Sequence, residues 1–445
     1  MKKIFYLLIL IPAMWACQDD ADSPNIAENP PTVTNVADYQ FAIDASAETL
    51  MNESVAKNAS VKKFWEEKRS EQLNNFLYKQ KLAETAIEHY ELTGDIGQLA
   101  IADDYLQKAL TFAPAPAQEP LFQLRSSNAV QRHDFQTAKT SAEQALSVTG
   151  NPYSSRLLLV DAIFETQGLR PALDEFEKIE ETQGIGYHIR LARIYDAQGK
   201  LDQAIETMER IVPAIPEDQK VLFVWAHSNL GDFYGHNNEL EKSYEQYLMA
   251  LKVSPLSFHA LKGIAWINFS GERNADKAEA IADHLLKVRS EDPGMLLMKA
   301  DLAEYRGDSQ SAESFMQQFA DLVSQEKYGD TYNHDLVKYW LSKPNTQAKA
   351  LQLAEHERSL RDLPDVEALL AYAQYINGQN DTAKKTALDL LDEDGLPPDS
   401  QFLVAKILLN TGEEGEGRAL LKELQGAVYE LGPNAEKEIN QLLGE

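Results

Sequence analysis

The side chains able to do covalent or metal chemistry are few and badly spaced for it. Cys17 is the single cysteine, so no disulfide can form within the chain, and a thiol followed by Gln18-Asp19-Asp20 has no core to enter. Its chemistry is set by what precedes it: Lys2 and Lys3, an apolar run from Ile4 to Met14, then Trp15-Ala16. A small residue before a cysteine at the end of such a run suits cleavage at Cys17 and attachment of lipid to the thiol. The nine histidines are scattered. His356-Glu357 is followed by Arg358-Ser359-Leu360, so no second imidazole arrives one turn on to complete a zinc pair. Asp392-Glu393-Asp394-Gly395 has part of the composition of a calcium loop, but Leu390 stands at the first ligand position and Gln401 at the last, and a solvated turn accounts for it. Gly412, Gly415 and Gly417 lie among glutamates that repel phosphate, and they follow a helical pattern where a nucleotide loop needs a strand. No serine sits in a Gly-x-Ser-x-Gly setting. The expectation is no catalytic residue, no metal and no cofactor.

The leader reads as a bacterial lipoprotein signal. Its eleven apolar residues are too few to span a bilayer as a helix, which takes about 20. Residues 1–16 are then the signal peptide, with a plain cleaved signal as the alternative that Trp15 raises. Residues 17–35, rich in Pro, Asn, Asp and Thr, form a lipidated flexible tether. The acidic pair after Cys17 resembles the surface-export signal of lipoproteins in the Bacteroidetes group, against the plain alternative of a solvated linker. The expected location is the outer membrane, lipid-anchored, on either its periplasmic or its surface face. The chain carries 42 basic and 70 acidic residues, a net charge of −28. Such a surface repels nucleic-acid phosphates and anionic lipid headgroups, so nucleic acid is excluded as a partner and the membrane is met through the lipid alone.

What positions any remaining functional side chain is a helical repeat. One unit has Leu191-Ala192, Tyr195 a turn later, Gly199 at a turn, then Leu201, Ala204, Met208, Ile211 and Pro216. The next has Leu230-Gly231, Tyr234, a turn at Asn237-Asn238, then Leu240, Ser243, Tyr247, Ala250-Leu251 and Pro255. These resemble tetratricopeptide repeats. Two antiparallel helices approach closely only where side chains are small, so Ala192 or Gly231 on one helix and Ala204 or Ser243 on the next mark crossings, and the tyrosines fill the holes around them. From Ala192 the small residue recurs at Gly231, Ala265 and Ala300, steps of 39, 34 and 35, and again at Ala371 and Ala405. Ala138, Ala172 and Ala204 mark the second helices, 34 and 32 apart. The period predicts about ten helix pairs over residues 81–425, and the resemblance implies that they form an all-α, right-handed solenoid. Residues 36–80 read as an N-terminal helical cap and 426–445 as a C-terminal capping helix. Departures from the repeat are Gly417 in place of alanine, Asn268 in place of an aromatic, and the polar stretch Gly271-Glu272-Arg273-Asn274 where a short turn is expected.

In tetratricopeptide arrays the first helices line a concave groove that binds peptides or partner helices. The resemblance maps that groove onto Arg193, Asp196, Trp225, Asp232, His236, His259, Lys262, Trp266, Tyr305, Tyr372 and Tyr375. Trp225 and Trp266 are either anchors for a partner or ordinary packing between repeats. The function this implies is a non-enzymatic scaffold for a protein or peptide partner in the cell envelope. The alternative is a glycan-capture lipoprotein accessory to an outer-membrane transporter, similar to the SusD-like family, although that family interrupts its repeats with a large irregular domain and no comparable insertion is present here.

Overall fold

The structure, a computed structural model, describes residue 30 and residues 32–148, 152–391, 393 and 395–445. The leader, Cys17 and the tether through residue 29 lie outside the described residues, as do Asp392 and Asp394 of the acidic turn. Among the described residues the chain is helical throughout, with no strand.

Ten antiparallel helix pairs follow one another as the solenoid predicted from the repeat. Pair 1 is Phe76–Thr93 with Gly97–Phe112, pair 2 Ala115–Gln131 with Phe135–Val148, and pair 3 Tyr153–Gln167 with Leu169–Phe176. Pair 4 is Ile185–Ala197 with Leu201–Ile211, pair 5 Lys220–His236 with Leu240–Val253, and pair 6 Phe258–Trp266 with Ala275–Val288. Pair 7 is Pro293–Tyr305 with Ser309–Val323, pair 8 Asn333–Leu341 with Gln347–Leu360, pair 9 Pro364–Ile376 with Asn380–Leu390, and pair 10 Pro398–Asn410 with Glu414–Leu424.

The small residues do the work the spacing assigns them. The Ser243 hydroxyl donates to the Gly231 carbonyl at 2.7 Å, and a Cβ at Gly231 would sit 2.7 Å from the Tyr247 ring. That ring is wedged between Gly231 of pair 5 and Gly263 of pair 6, buried, with its hydroxyl donating to Asp232 at 2.7 Å. Gly417 departs from alanine for a steric reason: a Cβ there would meet the Leu409 amide nitrogen at 3.0 Å and the Ala405 carbonyl at 3.1 Å. The turns are equally regular. His133, Gly199, Asn238, Arg273, Gly307, Gly378 and Gly412 all have positive φ, and each stands two residues beyond the end of its pair's first helical segment. The next amide then reaches back to an orphan carbonyl, as from Lys200 to Tyr195 and from Glu239 to Tyr234, both at 2.8 Å.

Pair 6 breaks this regularity. Its first helix runs on into a π-helical turn, Ile267–Gly271, and the Asn274 amide reaches back six residues to Asn268. The extra backbone widens the turn and turns Asn268 and Ser270 inward, where both are buried.

The solenoid winds back onto itself after about six pairs. Ile96 and Leu99 of pair 1 share a core with Leu296, Phe319, Tyr328 and Leu336, and Arg289 donates to the carbonyls of Leu92, at 2.9 Å, and Glu91. Half a turn on, Arg361 donates to the Glu165 carbonyl at 3.0 Å and pairs with its carboxylate at 3.2 Å, while the Asp362 amide donates to Thr166 at 2.9 Å.

The first described segment and the start of the closing helix both come to the π-helical turn. The Val33 and Thr34 amides donate to the Glu272 carboxylate, and the Thr34 hydroxyl donates to Asn268 at 2.7 Å. Tyr39, on the same segment, is 1% exposed. The helix that follows, Ala45–Glu71, is capped by Asp44 and lies on pair 1, where the Asn58 side-chain amide donates to the Thr85 carbonyl at 3.0 Å. At the other end Val428–Leu443 is broken at Gly432, φ 81°. Its second half packs on pair 10 through Ile439, Leu442 and Leu443, and its first half crosses to pairs 5 and 6, with Asn434 just beyond the break reaching pair 7.

Candidate functional site

The first helices of the pairs stand side by side and join one another through polar side chains. Arg190 of pair 4 reaches Asp161 of pair 3 at 2.5 Å, and Arg193 pairs with Glu165 while lying 4.0 Å over the Phe164 ring. Asp232 of pair 5 accepts from Tyr247 and from His259 Nε2 of pair 6, each at 2.7 Å. Burial lowers the pKa of His259, and the Asp232 carboxylate outweighs it, so the net shift is upward. Lys262 reaches the N-cap carboxylate of pair 7, Asp292, at 2.8 Å. Lys338 of pair 8 bridges to Asp399 of pair 10 at 2.8 Å, with His334 at 3.4 Å from the same oxygen. Arg193, Asp232, His259 and Lys262, expected to orient a partner, therefore already hold one repeat to the next.

The acids left without a cation are perturbed. Burial pushes Asp196 up to about 8, Arg193 opposing and Asp232 adding to the shift. Asp301 is pushed up to about 7 by burial, with Glu304 and Asp335 adding repulsion. His236 moves the other way, its pKa lowered by burial, and among the described residues its Nδ1 finds no hydrogen-bond partner.

The aromatic candidates divide. Trp225 packs half-buried against the pair 4–pair 5 core. Tyr372 and Tyr375 lie with ring centroids 6.1 Å apart against the pair 9–pair 10 core, and burial pushes the Tyr372 hydroxyl up to about 12. Tyr305 is 41% exposed and meets Phe269 edge-on at 5.5 Å. Trp266 is covered by the chain itself: its indole N–H donates to the Tyr429 carbonyl at 2.9 Å, and a Cβ at Gly432 would lie 3.1 Å from its ring. Trp266 is thus neither an open anchor nor simple packing between neighbouring repeats.

The covering segment makes a set of bonds to pairs 6 and 7. Ser270 Oγ donates to the Tyr429 carbonyl at 2.6 Å, the Asn434 side-chain amide donates to the Asp301 carbonyl at 2.9 Å, and Arg273 pairs with Glu436 at 2.7 Å. The Tyr429 ring lies over two glycines, with a Cβ at Gly235 3.0 Å from it and one at Gly271 3.7 Å. Gly235, Ser270, Gly271 and Tyr429 have no place in the repeat pattern. The signal that marks them is the departure of residues 268–274 from that pattern, which reads as a polar docking point once the first described segment and the closing helix are seen to meet there.

Residues 185–217, pair 4 with the 3₁₀ turn after it, match the tetratricopeptide repeat. No curated protein matches the chain. Among solved structures it is similar to a tetratricopeptide repeat protein from Parabacteroides merdae, at 17% identity over 74% of this chain and 99% of that one, TM-score 0.32. It is similar also to yeast Tom70, at 13% identity over 92% and 96%, TM-score 0.35, and to Cut9–Hcn1 of the APC/C, at 13% over 93% and 99%, TM-score 0.34.

Proposed function

We propose that this chain is a non-enzymatic scaffold that binds a protein segment on the face built by its first helices, and that it is held at the outer membrane of the cell envelope by lipid on Cys17. One observation carries the binding half: the face already accommodates polypeptide, with residues 428–436 bonded to pairs 6 and 7 through main-chain carbonyls and Tyr429 packed on Gly235 of pair 5. A surface that recognises backbone in this way suits an extended or partly helical partner. The tetratricopeptide match at 185–217 agrees with that role. The lipid half rests on the leader and the lone cysteine.

Two experiments test the two halves separately. A photoreactive amino acid placed at the exposed Tyr305 of the full chain, in cells, should capture a discrete protein; a folded, correctly located protein with no protein adduct refutes the binding reading. Cys17→Ser should release the chain from the membrane fraction. Unchanged membrane association, with no lipid on the mature N-terminus, refutes the anchor.

A further inference from the structure

Residues 428–432 do not merely cap the array. They form the crossing between the second helix of pair 10, Glu414–Leu424, and the half of the closing helix beyond Gly432, which packs on that pair. The crossing keeps Leu431 against the pair 9–pair 10 core while Tyr429 reaches pairs 5 and 6 in the middle of the solenoid.

What it meets there is shaped for one aromatic ring. The three atoms nearest a Cβ at Gly235 all belong to the Tyr429 ring, at 3.0, 3.0 and 3.3 Å. The missing side chain at Gly235 leaves the notch that lets the Tyr429 ring and hydroxyl come this close to the helix. Beside the notch, Trp266 Nε1 and Ser270 Oγ converge on a single carbonyl, that of Tyr429, at 2.9 and 2.6 Å. A slot for an aromatic side chain and two donors for the carbonyl of the same residue make a recognition element centred on one residue.

The next residue fits badly. Glu430 is 6% exposed, and among the described residues its Oε2 has no hydrogen-bond partner. Burial, then repulsion from Asp196 and Asp399, holds its carboxyl well above the usual carboxylate range. A buried carboxyl facing other carboxylates opposes docking. Residues 428–432 are held at their tyrosine and resisted at their glutamate, and the backbone break at Gly432 lets them leave while Asn434 stays on Asp301, Glu436 on Arg273 and the closing helix on pair 10.

Building on the scaffold reading above, we propose that the Tyr429 notch is a ligand slot occupied in cis by the chain's own C-terminal segment, and that the partner displaces it with an aromatic residue followed by a basic one. Such a residue would face Asp196, which has no cation of its own, where Glu430 now does, so the partner gains the attraction that the resident segment lacks. The face is then closed in the free protein and opened by the partner itself.

The test uses the full chain and two labelled peptides with the sequence of residues 427–435, one unchanged and one carrying Glu430→Lys, read by fluorescence anisotropy. Tyr429→Ala vacates the notch in the protein. The Lys peptide should bind this variant at least tenfold more tightly than it binds the wild type, and at least tenfold more tightly than the unchanged peptide does. Adding Gly235→Leu, which refills the notch from the helix side, should abolish binding. Equal binding by wild type and Tyr429→Ala, indifference to the Lys, or indifference to Gly235→Leu overturns the proposal. Hydrogen exchange on the wild type guards against a variant that fails to fold: amides 428–432 should open well before the global transition, and exchange only through global unfolding overturns the proposal as well. The Tyr305 crosslink keeps the two readings apart. A captured protein together with silent peptides removes the slot and leaves the scaffold, whereas peptide binding without any captured protein does the reverse.

Discussion

Gly263→Ala sets two physical effects against each other and decides which one governs the pair 5–pair 6 contact. In an exposed helix the change should stabilise by about 1 kcal/mol, because alanine loses less backbone entropy on folding. Here the new methyl would lie 2.2 Å from Tyr247 Cζ, with Cε2 at 2.5 Å and Cε1 at 2.7 Å. The ring cannot retreat, since Gly231 closes the other side and the hydroxyl is bound to Asp232 at 2.7 Å. Overpacking of this kind costs about 1–3 kcal/mol, and pulling the hydroxyl from a carboxylate costs about 1.5 kcal/mol more. Against the gain in propensity the net expectation is a loss of about 2 kcal/mol. Urea unfolding of Gly263→Ala, Tyr247→Leu and the double variant measures it, and the cycle should show the alanine better tolerated, by at least about 1 kcal/mol, once the ring is gone. A stabilised or neutral Gly263→Ala, additive with Tyr247→Leu, would refute the wedge and with it the packing account of the repeat.

Gly231→Leu meets the same ring from the other side and should cost more, on the order of 2–4 kcal/mol, read as a drop in the urea midpoint. Arg361→Ala removes the staple between successive turns of the solenoid and should cost about 2 kcal/mol, seen in the same assay with an unchanged m-value. Asp196 has a folded pKa raised to about 8 from an unfolded value near 4, so it binds a proton more tightly when folded, and its contribution falls as pH rises between those values. Asp196→Asn should therefore stabilise the protein more at pH 8 than at pH 5; an equal effect at both pH values removes Asp196 from the account. Trp266→Ala should lower stability by about 3 kcal/mol, because it empties the site under Gly432 and orphans a carbonyl that Ser270 alone must then serve.

The repeat was legible because its causes are local. Ala192, Gly231, Ala265, Ala300, Ala371 and Ala405 are all buried at crossings, and the turn residues Gly199 and Asn238 announce themselves by the φ they must adopt. The face was legible too, in that Arg193, Asp232, His259, Lys262 and Trp266 all stand on first helices. Their partners were not. A pattern of spacing says which face a side chain occupies and nothing about a segment 163 residues away that comes to lie on it, as Tyr429 does on Trp266. The readable trace of that contact was negative. Asn268, Glu272 and Arg273 break the repeat because they meet Val33, Thr34 and Glu436, far away in the chain.

The docking of the N-terminal segment has a consequence for how the protein is made. A solenoid whose repeats touch only their neighbours can condense from one end as it is synthesised. Here Thr34 is bound by Lys277, 243 residues later, so the first segment to appear must wait for pair 6. At about 5–20 residues per second that interval lasts roughly 12–50 s. Throughout it Val33, Val36 and Tyr39, apolar side chains that end in the core of pairs 5 and 6, have no surface to cover them. The apolar side chains that wait longest for cover are then those of residues 33–39 and not those nearest the growing end, and that is where a chaperone should be found bound.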